Sequence, residues 1–534
     1  MRRIPRYCFF LFVYVLTGCS LSVPKEVEKA MRDAAVFPDY KDAVIPPNIA
    51  PLNFLVEEDG EEYLTHIYTS IGKEDIIIKG KEVGIPQKKW RLLLEEAKGD
   101  TVFTDVYVKK SGIWMLFTTR KNPVAIEEID PYITYRLIEP SYVDYEGMTL
   151  QQRDLTNFEE VVLYNNMMLS DGDNGQCVNC HSVQDYNRSG CSQFHVRQNY
   201  GGTVLTLGSE VRKVNLSTEH TLSAGVYPAW HPMKRLIAYS VNETGQVFHT
   251  RDIQKVEVLD FASDLILYDI EGNNVYDIDC RPDEFETFPA WSPDGCMLYY
   301  SSAHYEQQTD DIDAELGVEY KTLKYNIYRR RFDSDTMKFG RREMVFDASA
   351  IGKSAVLPRV SPDGRYLLFA LADYGNFHIW HKSSDLYVLK LSAGDLEKIA
   401  MASDISEAVY PLVEANSDEA ESYHSWSSNG RWILFSSRRM DGNYTRLFIA
   451  YFDKEGRAHR PFVIPQKDAL HYRQQFKSYN VPEWMVVPVT PSRLDYVNVV
   501  EKDARQAVYA GSSLMVPDSI SVRKRHQAVD AVTG

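Results

Sequence analysis

The sequence has no long hydrophobic stretch beyond its first residues, so nothing in it predicts a membrane-spanning helix. It also lacks a Gly-x-Ser-x-Gly motif, which argues against an α/β-hydrolase. Basic residues are in the minority: 59 Lys and Arg against 75 Asp and Glu give a formal net charge of −16. A surface of this sign repels phosphate groups, so we expect no nucleic-acid partner.

Cysteine is scarce, with seven in 534 residues, which excludes a disulfide framework. Two of the seven lie in Cys177-Val178-Asn179-Cys180-His181. C-x-x-C-H is the attachment pattern of c-type haem, because two nearby thiols add to the haem vinyl groups and the adjoining imidazole reaches the iron. The motif predicts one covalent haem c, with His181 as the proximal iron ligand.

A zinc half-site, a redox thiol pair and a disulfide are the alternatives for this motif. Zinc requires a second pair of ligands, and only the isolated Cys191 and His195 lie nearby. A redox Cys-x-x-Cys usually lies in a βαβ unit, whereas a polar turn at 170–175 precedes this motif. Haem attachment is therefore the preferred interpretation.

The N-terminus has the pattern of an export signal. Three arginines lie within the first six residues, a short apolar core spans 8–16, and Leu16-Thr17-Gly18-Cys19 follows. This tetrapeptide resembles a bacterial lipobox, which implies a signal peptide over 1–18 and lipidation of Cys19. Acyl chains would then anchor an outer-membrane lipoprotein, and Ser20 is compatible with a periplasm-facing anchor. The alternative is an ordinary signal peptide with a coincidental cysteine.

Three cysteines remain once lipid and haem are assigned. A short strand–turn connection separates Cys280 from Cys296, so these two residues are a candidate disulfide. Cys191 would then be a free thiol.

The aromatic content of 12% and the 34 tyrosines favour an all-β fold. Residues 19–48 are expected to form a tether, with a strand or helix packed on the first domain as the alternative. Residues 49–125 are expected to form a β-sandwich-like domain with one helix at 86–97. A hairpin turn is predicted at 109–112. Residues 126–200 are less regular and form the expected haem c segment.

An internal repeat follows. Trp230, Trp291, Val360 and Trp426 occupy equivalent positions at spacings of 61, 69 and 66 residues, each before an apolar strand. Three of the four copies continue into a Pro-Asp-Gly or Asn-Gly turn, and the copy at 232–235 departs from this pattern. The period and strand content predict a β-propeller. A different repeated β architecture is the alternative.

These repeats resemble the TolB-type propeller repeat over residues 201–465, and the resemblance implies about six blades. Strands within 126–165 or 461–499 are the candidates for the missing blades, and C-terminal strands and a polar tail occupy 466–534. The loops at 241–263 and 303–323 are long, and equivalent propeller loops emerge on one face. We expect this face to contact the haem segment or a partner.

The sixth iron ligand is left open by the sequence. His195 is the first candidate, Met167 and Met168 are alternatives, and the third possibility is another residue or no fixed protein ligand. Arg197 is a candidate partner for a haem propionate.

The combination of lipobox, β-rich N-terminal region, single C-x-x-C-H and TolB-type repeats resembles a family of exported lipoproteins of the Bacteroides group. That resemblance implies an architecture more than an activity. The preferred function is electron transfer by a membrane-anchored haem c protein whose propeller docks an envelope or redox partner. The alternatives are a TolB-like binding scaffold with a structural or sensory haem, and a haem peroxidase, for which the sequence singles out no distal acid or base.

Overall fold

The computed structural model describes residues 22–139, 146–170, 175–249, 251, 254–392 and 408–515. It is all-β, with 48% of the chain in strands and 9% in helices. The predicted signal peptide, Cys19 and the polar end of the C-terminal tail lie outside the described residues. Within those residues, no helix has the length and apolarity needed to cross a membrane.

Two small sheets and one helix form the N-terminal part. A six-stranded sheet has the order β1-β8-β7-β4-β5, with β9 also pairing β7, and a three-stranded sheet has the order β2-β3-β6. The strands are β1 (Glu28–Lys29), β2 (Val36–Phe37), β3 (Phe54–Val56), β4 (Glu62–Thr69), β5 (Asp75–Lys79), β6 (Glu82–Val83), β7 (Thr101–Lys110), β8 (Ile113–Leu116) and β9 (Arg120–Pro123).

The predicted helix and hairpin are both confirmed. Helix α1 (Gln87–Ala97) follows Pro86 and buries Trp90, Leu93 and Leu94, which recur at helical spacing on one face. The chain between β7 and β8 turns at Ser111 and Gly112, both of which have positive φ.

The expected tether is wrong for the part of it that the structure describes. Ala34, Tyr40, Ala43 and Ile45 are all buried in the core that the N-terminal sheets share. Apolar side chains at these positions gain more from packing on the first domain than an exposed linker could provide.

Six antiparallel units of four strands follow, and we number them I to VI. Unit I contains β10 (Tyr132–Ile138), β11 (Thr149–Asp154), β12 (Glu160–Asn165) and β33 (Ser478–Met485). Unit II contains β13 (Gln176–Val183), β14 (Cys191–Gln198), β15 (Gly202–Leu207) and β16 (Glu210–Asn215). Unit III contains β17 (Val226–Trp230), β18 (Leu236–Phe248), β19 (Val256–Asp269) and β20 (Asn274–Asp279).

Units IV to VI complete the series. Unit IV contains β21 (Glu284–Trp291), β22 (Met297–His304), β23 (Tyr325–Asp333) and β24 (Lys338–Phe346). Unit V contains β25 (Ser354–Val360), β26 (Tyr366–Ala372), β27 (Asp385–Lys390) and β28 (Val409–Pro411). Unit VI contains β29 (Glu421–Trp426), β30 (Trp432–Ser437), β31 (Arg446–Tyr451) and β32 (Phe462–Val463). A single parallel bridge, Ser263 to Phe285, joins units III and IV into one nine-stranded sheet.

The expectation of an irregular segment at 126–200 is wrong, because it contributes strands β10 to β14. The two candidate sources of additional strands are both correct and meet in unit I, where β33 pairs antiparallel with β10 from Tyr132↔Met485 to Ile138↔Ser478. Irregular connections and polar strands such as β11 conceal the period in this part of the sequence.

The innermost strands of the six units share one distortion. Each ladder shifts register beside a residue with positive φ, as a β-bulge does. These residues are Cys180, Tyr227, Phe288, Leu357, Tyr423 and Val481.

The repeated tryptophans join neighbouring units. The indole Nε1 of Trp291 donates to the backbone oxygen of Ala229 at 3.0 Å, and that of Trp426 donates to Arg359 at 3.0 Å. Trp484, which the repeat did not include, donates to the backbone oxygen of Ser425 at 3.3 Å. The repeated tryptophans therefore mark contacts between neighbouring units. The fold is of the β-propeller type.

The remaining elements lie at the edges. Strand β34 (Arg505–Gln506) adds to β16 in parallel, and β35 (Val508–Ser512) adds to β20. Three helices connect strands or follow them: α2 (Ile312–Glu319), α3 (His471–Gln474) and α4 (Arg493–Val500).

Candidate functional site

The C-x-x-C-H motif lies on β13, the innermost strand of unit II. In a regular strand, residues three apart project from opposite faces, which would separate the two thiols. The ladder between β13 and β14 shifts register between Asn179 and Ser182, and Cys180 has a φ of 50°. This bulge changes the phase of the strand, so that Cys177 and Cys180 line the same cavity.

That cavity lies where the six innermost strands converge and has a volume of about 480 Å³. The volume is within the range of sites that hold small ligands and cofactors. All five residues assigned to haem from the sequence line it: Cys177, Cys180, His181, His195 and Arg197. Each of the six units contributes residues to its wall.

His181 is 5% exposed, and its Nε2 is buried without a hydrogen-bond partner among the described residues. The pKa of His181 is lowered to about 3, mainly by burial and also by the positive charge of Arg136. Contacts with the backbone of Thr134 and Val481 raise the pKa, but by less than burial and Arg136 lower it. The ring is therefore neutral and can offer a nitrogen lone pair to a metal.

His195 lies on β14, directly opposite Asn179 in the ladder. Its Nδ1 is 3.2 Å from the hydroxyl oxygen of Thr203, and burial lowers its pKa to about 3, assisted by Arg197. This ring is also neutral, and the contact with Thr203 fixes its orientation.

Two guanidinium groups in the cavity wall lack an acidic partner. Arg136 and Arg197 make no ion pair within the described part of the chain, and Nε of Arg136 is buried without a hydrogen bond. Arg197 is exposed and Arg136 is half-buried, and no carboxylate among the described residues neutralises either, so both can bind a ligand with carboxylate groups in this cavity.

Sequence reasoning missed Arg136 and His424, which also line the cavity. The signal for His424 was present: it follows the positive-φ residue of its inner strand, where four other units have proline. Arg136 carries no comparable signal, since it lies on β10, outside the recognised repeats.

The two methionines are not brought to this site. Met167 is 45% exposed, and Met168 packs on the edge of a separate hydrophobic core between units I and II. Neither lines the cavity.

The floor of the cavity is an ion pair. Arg359 of unit V and Glu483 of unit I approach to 2.7 Å between Nη2 and Oε1. Both also line a second cavity of about 410 Å³ that Trp230, Trp291 and Trp484 help to enclose. The pair therefore lies between the cavity that contains the motif and this second cavity.

The expectation for the long loops is met in part. Strands β18 and β19 extend into a hairpin, and Asn242, Thr244, Gln246 and Val256 from it line the same cavity as the motif. No residue of the 303–323 connection lines this cavity.

A Cys280–Cys296 disulfide is not formed. Both residues are free cysteines, with Cys296 exposed just after the Asp294-Gly295 turn and Cys280 partly buried at the end of β20. Cys191 is a free, buried thiol, as expected.

The residues at this site fit a covalently attached haem. Two thiols, two histidines with an unpaired ring nitrogen (His181 and His424) and two arginines without an acidic partner share one cavity. Among the described residues, no three His, Cys, Asp or Glu side chains are grouped to hold a bare metal ion. A haem iron needs only one or two side-chain ligands, because the macrocycle supplies the others.

No protein-family model and no curated protein matches the sequence. Among solved structures, the chain is similar to TolB from Acinetobacter baumannii, with a TM-score of 0.40, 14% identity, and 75% of this chain and 85% of that chain covered. It is also similar to a hypothetical selenium-binding protein from Sulfolobus tokodaii, with a TM-score of 0.39, 7% identity, and 68% of this chain and 96% of that chain covered. For oligogalacturonate lyase from Vibrio parahaemolyticus the TM-score is 0.30 and the identity 12%, with 61% of this chain and 93% of that chain covered.

Proposed function

We propose that the protein is an envelope lipoprotein that binds one covalent c-type haem and transfers electrons. The observation that carries the proposal is the bulge at Cys180, which turns both thiols of the motif and His181 toward one cavity. Zinc or a simple thiol pair would not require a cavity of this size, nor two arginines without acidic partners.

Each residue has a distinct role in this proposal. Cys177 and Cys180 would hold the haem through thioether bonds to its vinyl groups, and Nε2 of His181 would be the proximal ligand of the iron. Arg136 and Arg197 bind the two propionate carboxylates. The bound haem supplies reversible one-electron chemistry, while the apolar cavity wall and the Arg359–Glu483 floor limit access of water.

We further propose that units I to VI are the blades of one closed ring of the TolB type. Antiparallel pairing of β33 with β10 joins the end of the ring to its beginning within unit I. Hydrophobic cores lie between consecutive units, and one of them includes Leu434 of unit VI together with Ile133 and Tyr479 of unit I. This closure makes the haem site a part of the propeller.

The remaining assignments follow from the N-terminal motif. Lipidation of Cys19 would anchor the protein in the outer membrane facing the periplasm, where haem c is attached after export. The redox partner is then another envelope protein, which docks on the propeller. We propose no nucleic-acid partner.

One observation favours the alternative, a TolB-like scaffold with a structural or sensory haem. His181 and His424 occupy equivalent positions in their units, and each contacts the backbone of the positive-φ residue in the preceding unit. For His181 this residue is Val481 of unit I, and for His424 it is Leu357 of unit V. A histidine that links blades in this way can be structural without any role in electron transfer.

The proposal is tested by expressing the chain with haem-maturation machinery and recording optical spectra before and after dithionite and after denaturation. We expect a sharp reduced α-band that survives denaturation, and its loss in a Cys177→Ala/Cys180→Ala variant. Cys296→Ala, which removes an exposed thiol outside the motif, is the matched control and should retain the haem.

A wild-type protein without bound haem would refute the cofactor assignment and leave the scaffold function. A haem that is bound but cannot be reversibly reduced would refute electron transfer alone. In both cases, the partner should then be sought by affinity purification with the anchored protein.

A further inference from the structure

His424 of unit VI occupies the same position as His181 of unit II. Both line the central cavity, and both follow the positive-φ residue of an innermost strand. The residues at this position in units I to VI are Pro482, His181, Pro228, Pro289, Pro358 and His424. The two histidines are thus the only departures from proline at a position where every side chain borders the cavity.

His424 has one ring nitrogen without a hydrogen bond among the described residues, and its ring lies beside the backbones of Leu357 and Leu368. The side chain is 2% exposed, and Nε2 lies 2.7 Å from the backbone oxygen of Leu357. Because a carbonyl only accepts hydrogen bonds, Nε2 carries the proton and donates it. Nδ1 is then unprotonated, and it is buried without a hydrogen-bond partner among the described residues. Metal-binding histidines commonly donate their other ring N–H to a backbone carbonyl in this way.

The position of His195 is less suitable for the same role. It lies on β14, opposite Asn179 of β13, so it projects from the same sheet as His181. Residues directly opposite each other in an antiparallel ladder have Cα atoms about 5 Å apart. Axial ligands bind opposite faces of a flat macrocycle, which cannot be inserted between neighbours on one sheet. The sixth ligand must therefore come from another wall of the cavity.

Of the three histidines that line the cavity, His424 is the one contributed by a different unit. Unit I lies between unit VI and unit II in the order of the ring, so His424 and His181 belong to different walls. His195 is held by Thr203 and lies beside the proximal histidine.

Resting on the proposed haem c function, we propose that His424 is the sixth iron ligand, through Nδ1. His181 and His424 then give a bis-histidine, low-spin iron. Such an iron has a lower reduction potential than a His/Met site and no open position for peroxide. The assignment favours electron transfer over peroxidase chemistry.

The test compares optical and electron paramagnetic resonance spectra of the haem-loaded wild type with those of His424→Gln and His195→Gln. Glutamine can still donate to the Leu357 carbonyl but is a poor iron ligand. His378→Gln is the matched control, because His378 is 1% exposed, its Nε2 lies 2.9 Å from the Gly375 carbonyl oxygen, and it does not line the cavity. We expect low-spin iron in all proteins except His424→Gln, which becomes high-spin.

A second variant covers the case in which His424→Gln does not fold. His424→Ala should recover a low-spin spectrum when imidazole is added, with a melting transition that shows the protein is folded. High-spin iron in the wild type, or a change of spin state in His195→Gln instead of His424→Gln, overturns the assignment. A wild type that binds no covalent haem refutes the proposed function itself, which the α-band after denaturation reports separately.

Discussion

Arg197 lies directly opposite Cys177 in the ladder between β13 and β14. Residues in such a pair project from the same side of a sheet, so a positive charge stands beside one of the two thiols. Arg136, from β10, approaches the cavity from unit I, and its charge acts on His181. The site is therefore cationic before any cofactor is bound.

If haem is bound as proposed, the two arginines are expected to raise its reduction potential. A nearby positive charge disfavours the oxidised iron, which carries one more positive charge than the reduced iron. Arg136→Gln and Arg197→Gln should each shift the equilibrium several-fold toward the oxidised state in a spectroelectrochemical titration. Arg212→Gln, which removes an arginine paired with Glu210 outside the cavity, should have little effect. An unchanged potential in both cavity variants would show that neither arginine lies near the propionates.

Without haem, the same Arg136→Gln substitution should not destabilise the protein. Nε of Arg136 is buried without a partner, so removing the charge relieves a desolvation cost. We expect the free energy of unfolding in urea to stay constant or to rise by up to about 1 kcal/mol. A loss of stability would indicate that Arg136 has a structural partner.

The Arg359–Glu483 pair at the floor should show a clear coupling energy. The carboxylate side chain is 12% exposed, so Arg359→Met leaves a partly buried negative charge without compensation. We expect a cost of about 1–3 kcal/mol for Arg359→Met and a smaller cost for the double variant Arg359→Met/Glu483→Met, measured by urea unfolding. The exposed pair Arg365–Asp363 provides the control and should couple by less than about 1 kcal/mol.

Asp260 should make stability depend on pH. Its carboxyl group is 1% exposed and accepts hydrogen bonds from Asn242, Tyr325 and Asn376, and burial raises its pKa to about 6. An unfolded aspartate titrates near pH 4, so the folded state binds the additional proton between about pH 4 and 6. The stabilisation of the folded state by protonated Asp260 is therefore complete below about pH 4 and is lost as the pH rises through 6.

The measurement compares the free energy of unfolding of the wild type and Asp260→Asn from pH 4 to pH 7. The wild type should lose up to about 3 kcal/mol more than the variant across this window. Asp363→Asn, at an exposed turn, is the control and should follow the wild type. Parallel curves for Asp260→Asn and the wild type would contradict the raised pKa.

Substitution by alanine should reduce the stability of the protein by different amounts at two glycines in equivalent turns. Gly295 and Gly364 both have a left-handed backbone, with φ of 69° and 72°. A Cβ at Gly364 meets no atom within 4 Å, whereas at Gly295 it would lie 2.4 Å from the ring of His231. Gly364→Ala should cost about 1 kcal/mol from backbone strain, and Gly295→Ala at least about twice as much. Equal costs in thermal or urea unfolding would mean that His231 moves aside freely.

The repeats and the motif could be recognised from the sequence because both depend on local spacing. Trp230, Trp291 and Trp426 recur with their turns because each indole position is part of the packing between units. Trp484 was missed since its strand continues into unit I and no Asp-Gly turn follows it. Unit I itself escaped recognition because its strands come from both ends of the repeat region.

Only part of the candidate site could be predicted from the sequence, for a related reason. Cys177, Cys180, His181, His195 and Arg197 are close in sequence and lie on two adjacent strands. Arg136 reaches the same cavity only through the arrangement of the units, which no local pattern encodes. His424 stands out in the repeat, where other copies have proline, but its place in this cavity also depends on that arrangement. The bulge at Cys180 could not be predicted either, because nothing in the residue itself requires positive φ.

The pairing of β33 with β10 also constrains the order in which the protein can mature. Ile133 and Trp484 are neighbours in one ladder although most of the chain separates them, so this contact is among the last that a growing chain can complete. Until residue 485 has been added to the chain, one wall of the cavity is missing, and the thiols of Cys177 and Cys180 remain open on that side. If haem is attached as proposed, this bulky planar group could reach the thiols before the last innermost strand closes the cavity.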